Sequence, residues 1–237
     1  AVTERIAAAE RDPDWAREWL GAAAAARRAI EAQLAALEGP TEPGLQQALG
    51  AAYGDGDLVY TASSMPIRDQ EAFLPPGAAE VTFLANRGAN GIDGLVSSGI
   101  GAAAASARPT WIVTGDLGLF HDANGLVLAR GAEVPLRVVV VNNGGGGIFD
   151  FLPQAKQLDP SEFEALLGTP TRVDLEQVAG LHGLRYERLE RLERLADAAG
   201  TDAVLIEVPV PDRPQNVTLH RRIVEAAVAA VGEGGGT

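Results

Sequence analysis

The chain contains no cysteine. That excludes a disulfide framework, thiolate metal sites and a cysteine nucleophile, and it fits a cytoplasmic protein. Lysine is nearly absent as well: Lys156 stands alone, and arginine carries the other positive charges. Bases number 19 against 32 acids, for a formal net charge of −13. Such a balance argues against nonspecific binding to nucleic acid or to an anionic membrane surface. An anionic small molecule would need a local set of arginines, whose planar fork grips a carboxylate through two bonds. No uninterrupted apolar run approaches the roughly 20 residues that a membrane helix needs. No secretory pattern opens the sequence. The three histidines, His121, His182 and His220, lack metal-ligand spacing. A loop hydrogen bond suits His121, and surface or cap positions suit the other two. No Ser-His-Asp, zinc or nucleotide P-loop pattern is present.

What is present is a folded composition, 46% hydrophobic and 22% charged. Six candidate strands, over 58–62, 81–85, 111–113, 138–141, 184–188 and 204–208, alternate with helical segments. The alternation predicts an α/β fold with a doubly wound, mainly parallel six-stranded sheet flanked by helices. Helices are predicted over 41–52, 95–105, 124–130, 162–167, 174–181, 189–199 and 216–231. A long first helix starts at Asp12-Pro13-Asp14 and stops at Gly39-Pro40. Trp15, Trp19, Ala26, Ile30, Leu34 and Leu37 recur along it at helical spacing, and ordinary packing against an apolar surface is the reading of its tryptophans. Small residues after Gly94 predict close approach of a helix to the sheet.

The most informative stretch runs from Thr110 to Phe149. One strand ends in Thr114-Gly115-Asp116 and the next in Asn142-Asn143, with a crossover helix between them. In an open parallel sheet, ligands bind at that carboxyl edge. Asp116 and Asn143 offer hard oxygen ligands suited to Mg²⁺ or Ca²⁺. The four glycines that follow let backbone groups approach an ion and its phosphates. Gly-Asp-Leu and Asn-Asn are separated by the 24 residues 118–141. This pattern resembles the thiamine diphosphate motif, although Leu117 stands where many such enzymes have glycine.

Longer matches narrow the resemblance. SSMPIRD (63–69), NRGANGIDG (86–94), GDL (115–117) with HDANGL (121–126), NNGGGGIF (142–149) and GTP (168–170) occur in that order. Together they resemble the MenD family, the menaquinone-pathway 2-succinyl-5-enolpyruvyl-6-hydroxy-3-cyclohexene-1-carboxylate synthases, in their carboxyl-terminal part. The resemblance implies a thiamine diphosphate-binding fold, with 41–237 as the diphosphate- and Mg²⁺-binding domain and 1–40 as a helical segment trailing from a preceding middle domain. It implies thiamine diphosphate held through Mg²⁺ (or Mn²⁺) by Asp116, Asn143 and the Gly145 carbonyl. Gly91, Ile92, Gly115, Leu117, Ile148 and Phe149 complete the implied cofactor site, Ile92 propping the bent cofactor. Ser64, Arg68 and Arg87 match substrate-site positions.

The implied reaction decarboxylates 2-oxoglutarate and adds the succinyl-semialdehyde carbanion to isochorismate, in a cytoplasmic homodimer or homotetramer. The implied activating glutamate belongs to an amino-terminal pyrimidine-binding domain that precedes the matched part. No catalytic acid is therefore assigned here, and the 237 residues alone are expected to be inactive. Gly144, often Asn or Asp in the family, and Thr171, often His, depart from the pattern. Two alternatives stand beside this reading: another thiamine diphosphate-dependent 2-oxoacid decarboxylase or synthase, or a noncatalytic cofactor-binding module.

Overall fold

A computed structural model describes residues 13–77, 79–86 and 91–234. Six strands form one sheet: β1 (Leu58–Thr61), β2 (Thr82–Leu84), β3 (Thr110–Gly115), β4 (Leu136–Asn142), β5 (Arg185–Arg188) and β6 (Val204–Pro209). Their order is β2-β1-β3-β4-β6-β5, and every pairing is parallel. Each of the six predicted strands is present.

Side chains alternate across a strand, so a sheet covered on both faces must be apolar on both. In β4, Val138 and Val140 enter one core while Val139 and Val141 enter the other. Ile112 and Leu205 belong to the first core; Trp111, Val113 and Ile206 belong to the second. Helix Leu95–Ser106 covers the first face, and Glu42–Ala52 the second. This is a doubly wound α/β fold. The close approach predicted for the small-residue helix is seen at Gly99, where an added Cβ would lie 2.7 Å from the Ile112 side chain. Trp111, 2% exposed, shows how the second core accommodates polarity: its indole N–H donates to Asp57 at 2.8 Å, and the Arg137 guanidinium lies over its ring.

Several predicted helices take other forms. The crossover segment is a short α-helix, Asp116–His121, followed by a 3₁₀ run, Ala123–Gly131. The Asp122 carboxylate between them accepts from the Ser97 N–H and hydroxyl, which interrupts a continuous helix. The segment 162–167 divides into an α-turn, Pro160–Phe163, and a π-turn, Glu164–Gly168. The predicted 189–199 helix starts late, at Leu192, because the Leu189 N–H still bonds to β6 through Glu207 and its side chain is buried.

The chain divides into two compact units, Glu38–Thr218, which contains the whole sheet, and Ala1–Leu37 with Leu219–Thr237. In the second unit, helix Pro13–Ala35 keeps the predicted period, but its tryptophans do not pack into a core. Trp15 and Trp19 are 62% and 63% exposed, and they cover one another with ring centroids 6.0 Å apart. The helix ends at Ala35, before the predicted stop. No described helix is long and apolar enough to cross a membrane. His182 and His220, read as surface or cap residues, are both buried.

Candidate cofactor site

Along the sheet, the chain path reverses between β1 and β3. A crevice opens at such a switch point, outside the carboxyl ends of the strands. Here it is a cavity of about 430 Å³ at the ends of β1, β3 and β4, within the range of small-ligand sites. The β3–β4 register runs to Gly115 opposite Val141. Asp116 and the Asn142-Asn143 pair therefore leave the sheet side by side.

Asp116 is 2% exposed and opens a helix. Burial raises its carboxyl above the usual range, against hydrogen bonds from the Thr171 hydroxyl (2.8 Å) and the Leu117 and Gly144 N–H groups. No neighbouring cation among the described residues adds to that stabilisation. A buried carboxylate in this condition gains from a bound metal ion.

The two asparagines are held alike. Asn142 donates its amide N–H to Glu207 at 2.8 Å, and Asn143 donates to Glu42 at 2.8 Å. Each side-chain oxygen accepts from a backbone N–H two residues on, Gly144 at 3.3 Å and Gly145 at 3.2 Å. Glu207 also accepts from Arg188 (2.7 Å) and Tyr186. Burial, followed by the bond to Glu207, pushes the Tyr186 phenol up to about 12.

The glycine loop packs against the Gly-Thr-Pro segment: the Gly146 N–H donates to the Gly168 carbonyl at 2.8 Å. Gly145 has φ +145°, and a Cβ there would lie 2.4 Å from the Gly168 carbonyl oxygen. Only glycine fits this approach. The Gly145 carbonyl accepts from Gly147 N–H at 2.9 Å and keeps a second lone pair for another partner. Asp116, Asn143 and Gly145 line one cavity and offer carboxylate, amide and carbonyl oxygens, the donor chemistry that a hard divalent cation requires. The site's residues thus fit a metal-bound diphosphate.

Ser64, at the amino end of helix Met65–Phe73, has φ 78° and ψ −137° and makes no side-chain cap bond. That conformation is strained for a residue with a Cβ, and strain of this kind gathers at ligand sites. Arg68 is exposed, and its guanidinium donates to the Ser64 carbonyl at 2.6 Å.

Every candidate site residue named from the sequence lines this one cavity except Arg87. Arg87 lies outside the described residues. His121 is not in the lining; it faces Asp93 at 3.7 Å, with both side chains well exposed. Sequence reasoning missed Glu42, a buried acid in the cavity wall, and noted Thr171 only as a departure from the family pattern. A signal for Glu42 existed. A helix that precedes a strand in a doubly wound sheet runs antiparallel to it, so its first turn lies at the carboxyl edge.

A parallel doubly wound sheet with an oxygen-ligand cradle at its switch point describes the diphosphate half of a thiamine-dependent enzyme. The chain belongs to that class: the family described as "Thiamine pyrophosphate enzyme, C-terminal TPP binding domain" matches residues 79–208. Its similarity is to 2-succinyl-5-enolpyruvyl-6-hydroxy-3-cyclohexene-1-carboxylate synthases. The Myxococcus xanthus (strain DK1622) protein is 47% identical over 227 residues, covering 93% of this chain and 38% of that protein. The Chloroflexus aurantiacus protein is 40% identical over 241 residues, covering 99% and 40%. The chain thus spans about two fifths of the length of these relatives. Among solved structures, the Rhodococcus jostii RHA1 thiamine diphosphate-dependent 4-hydroxybenzoylformate decarboxylase superposes with a TM-score of 0.62 at 18% identity. It covers 75% of this chain and 34% of that one. That likeness concerns the fold.

Proposed function

We propose that this chain supplies the diphosphate- and metal-binding part of a synthase of menaquinone biosynthesis. The substrates are 2-oxoglutarate and isochorismate, and the product joins the decarboxylated four-carbon unit of the first to the second. The observation that carries the reading is the meeting of Asp116, Asn143 and Gly145 in one cavity, inside a chain 40–47% identical to such synthases. Residues 41–237 act as the diphosphate domain, with 1–40 trailing from a middle domain. The protein works in the cytoplasm as a homodimer or homotetramer.

Asp116, Asn143 and the Gly145 carbonyl would hold Mg²⁺, or Mn²⁺, against the diphosphate. Bound thiamine diphosphate supplies the electron sink for loss of a carboxylate beside a carbonyl. The chain's own residues orient and enclose. Ile92 would support the cofactor, while Ile148 and Phe149 wall the pocket; all three are half-buried. Gly91, Gly115 and Leu117 provide close backbone around it. Ser64 and Arg68, with Arg87, meet the carboxylates of the substrates. Arg68 is well placed for this, because among the described residues its guanidinium bonds to the Ser64 carbonyl through one nitrogen and keeps other N–H groups for a bidentate grip. The activating glutamate comes from a pyrimidine-binding domain outside these 237 residues.

Two measurements test the reading. Arg68→Ala in the intact protein should lower kcat/KM for one anionic substrate by about tenfold or more, the equivalent of about 1.5–3 kcal/mol for a charge-assisted bond. Unchanged kinetics with 2-oxoglutarate and isochorismate varied separately would make Arg68 structural. Residues 1–237 alone should show no 2-oxoglutarate decarboxylation with thiamine diphosphate and Mg²⁺. Robust turnover by that chain would remove the need for an outside glutamate.

A further inference from the structure

Glu42 occupies an unusual position for an acid. It stands at the start of helix Glu42–Ala52, where an acid complements the free N–H groups, yet it is 2% exposed. Acids in a first helical turn do that work in solvent. Burying a carboxylate costs free energy that helix capping does not require, since Thr41 already caps this helix through the Gly44 N–H at 3.1 Å. What burial provides is reach: Glu42 Oε1 accepts from Asn143 Nδ2 at 2.8 Å, across 101 residues of sequence.

A side-chain amide has two nearly isosteric ends of opposite character. A carboxylate can only accept, so it must face the NH₂ end. With that end fixed on Glu42, the oxygen is fixed on the other side, where it takes the Gly145 N–H at 3.2 Å and can offer its second lone pair. Gly147 leaves room for this placement, because a Cβ there would lie 2.6 Å from Asn143 Nδ2. Rotating the amide by half a turn would set its oxygen against the Glu42 carboxylate and its N–H groups toward the metal position. Asn142 provides the internal comparison: Glu207 holds its NH₂ end in the same way.

We infer that Glu42 is a positioning residue that selects the metal-binding orientation of Asn143. The inference rests on the metal site proposed above, and it assigns Glu42 no contact with the reacting atoms. Ligand orientation by such outer partners is commonly worth about 10- to 100-fold in metal affinity.

The test measures Mn²⁺ binding to the intact protein in the presence of thiamine diphosphate, by the free-Mn²⁺ resonance signal and by calorimetry. Glu42→Ala should melt cooperatively and bind Mn²⁺ about tenfold or more weakly. Should it fail to fold, Glu42→Met fills the volume without an acceptor and takes its place. Glu42→Gln keeps an acceptor oxygen and should bind within about threefold of the unmodified protein, a rescue that lost packing or lost charge would not produce. Asn143→Ala should weaken binding, and adding Glu42→Ala to it should do nothing more, because the amide to be oriented is gone. Binding unaffected by Glu42→Ala, no rescue by Glu42→Gln, or additive losses would each overturn the role of Glu42 and leave the metal site standing. Full Mn²⁺ affinity in Asn143→Ala would instead overturn the metal site itself.

Discussion

Replacing Asp116 by asparagine should abolish metal-dependent binding of thiamine diphosphate and, at the same time, stabilise the metal-free protein. Both effects have one cause. Asp116 is buried, its carboxyl is raised by loss of hydration, and among the described residues no cation adds to the hydrogen bonds from Thr171, Leu117 and Gly144. A neutral amide of the same shape removes the desolvated charge, for a gain of about 1 kcal/mol. For a chain of this size that corresponds to roughly 2–4 °C in Tm.

The pH dependence has a defined sign. A folded carboxyl with a raised pKa binds its proton more tightly than the unfolded chain does. Its contribution to stability is therefore present below the unfolded value and is lost as pH rises through the folded one. The unmodified protein and Asp116→Asn should melt together below the ordinary aspartate pKa of about 4, then separate toward neutrality with the variant higher. Saturating Mg²⁺ and thiamine diphosphate should reverse the order. Ligand at about 100 times its Kd adds about 2.7 kcal/mol to whichever protein binds it. Calorimetric scans across pH, with and without metal and cofactor, read both effects. Native cofactor affinity in Asp116→Asn would sink the ligand assignment, and an unchanged metal-free Tm at neutral pH would sink the account of the buried charge.

The same residue shows why much of the candidate site is legible in the sequence. Asp116 and Asn143 each follow a β-branched or apolar run, and parallel strands place all such endings on one edge. A local pattern thus became a spatial one through topology alone. Glu42 is the opposite case. Its local signal, Thr-Glu-Pro at a helix start, is fully explained as a cap. Only the antiparallel run of that helix against β1 carries it to the cavity, and only burial marks it as more than a cap. Thr171 has no period or cap to announce it, and its bond to Asp116 spans 55 residues.

The tryptophan pair shows a different limit. Spacing by four correctly placed Trp15 and Trp19 on one side of a helix, but spacing does not say what lies opposite. The crossover run failed for a reason of its own. Its apolar residues suit an α-helix, whereas the Asp122 carboxylate, tied to Ser97, breaks the segment and leaves a 3₁₀ run behind it. Such tertiary bonds override local preference and are invisible in the segment's own composition.

The glycine loop yields the second large effect. Gly145→Ala should destabilise the protein by about 2–3 kcal/mol, because it combines a strained backbone with a steric conflict. The φ of +145° is a region that residues with a Cβ rarely adopt, and the added methyl would meet the carbonyl oxygens of Gly168 at 2.4 Å and Thr169 at 3.1 Å. Both are backbone atoms, so neither can swing aside as a flexible side chain would. Relief must come from separating the loop from the Gly-Thr-Pro segment, which would break the Gly146–Gly168 hydrogen bond and displace the Gly145 carbonyl from the donor set. Metal affinity should fall with stability.

Gly144 is the control, one residue away. Its φ of +81° favours glycine, but a Cβ there meets nothing within 4 Å. Asparagine tolerates such backbone better than other side chains, so Gly144→Asn should cost well under about 1 kcal/mol. It should also leave Mn²⁺ binding unchanged. Denaturant unfolding gives the two stabilities, and Mn²⁺ titration with thiamine diphosphate gives the two affinities. A Gly145→Ala protein with native midpoint and native affinity would show that the loop can stand off the Gly-Thr-Pro segment without consequence. Equal losses in both variants would point to a general requirement for loop flexibility, and the close approach at Gly145 would lose its special place.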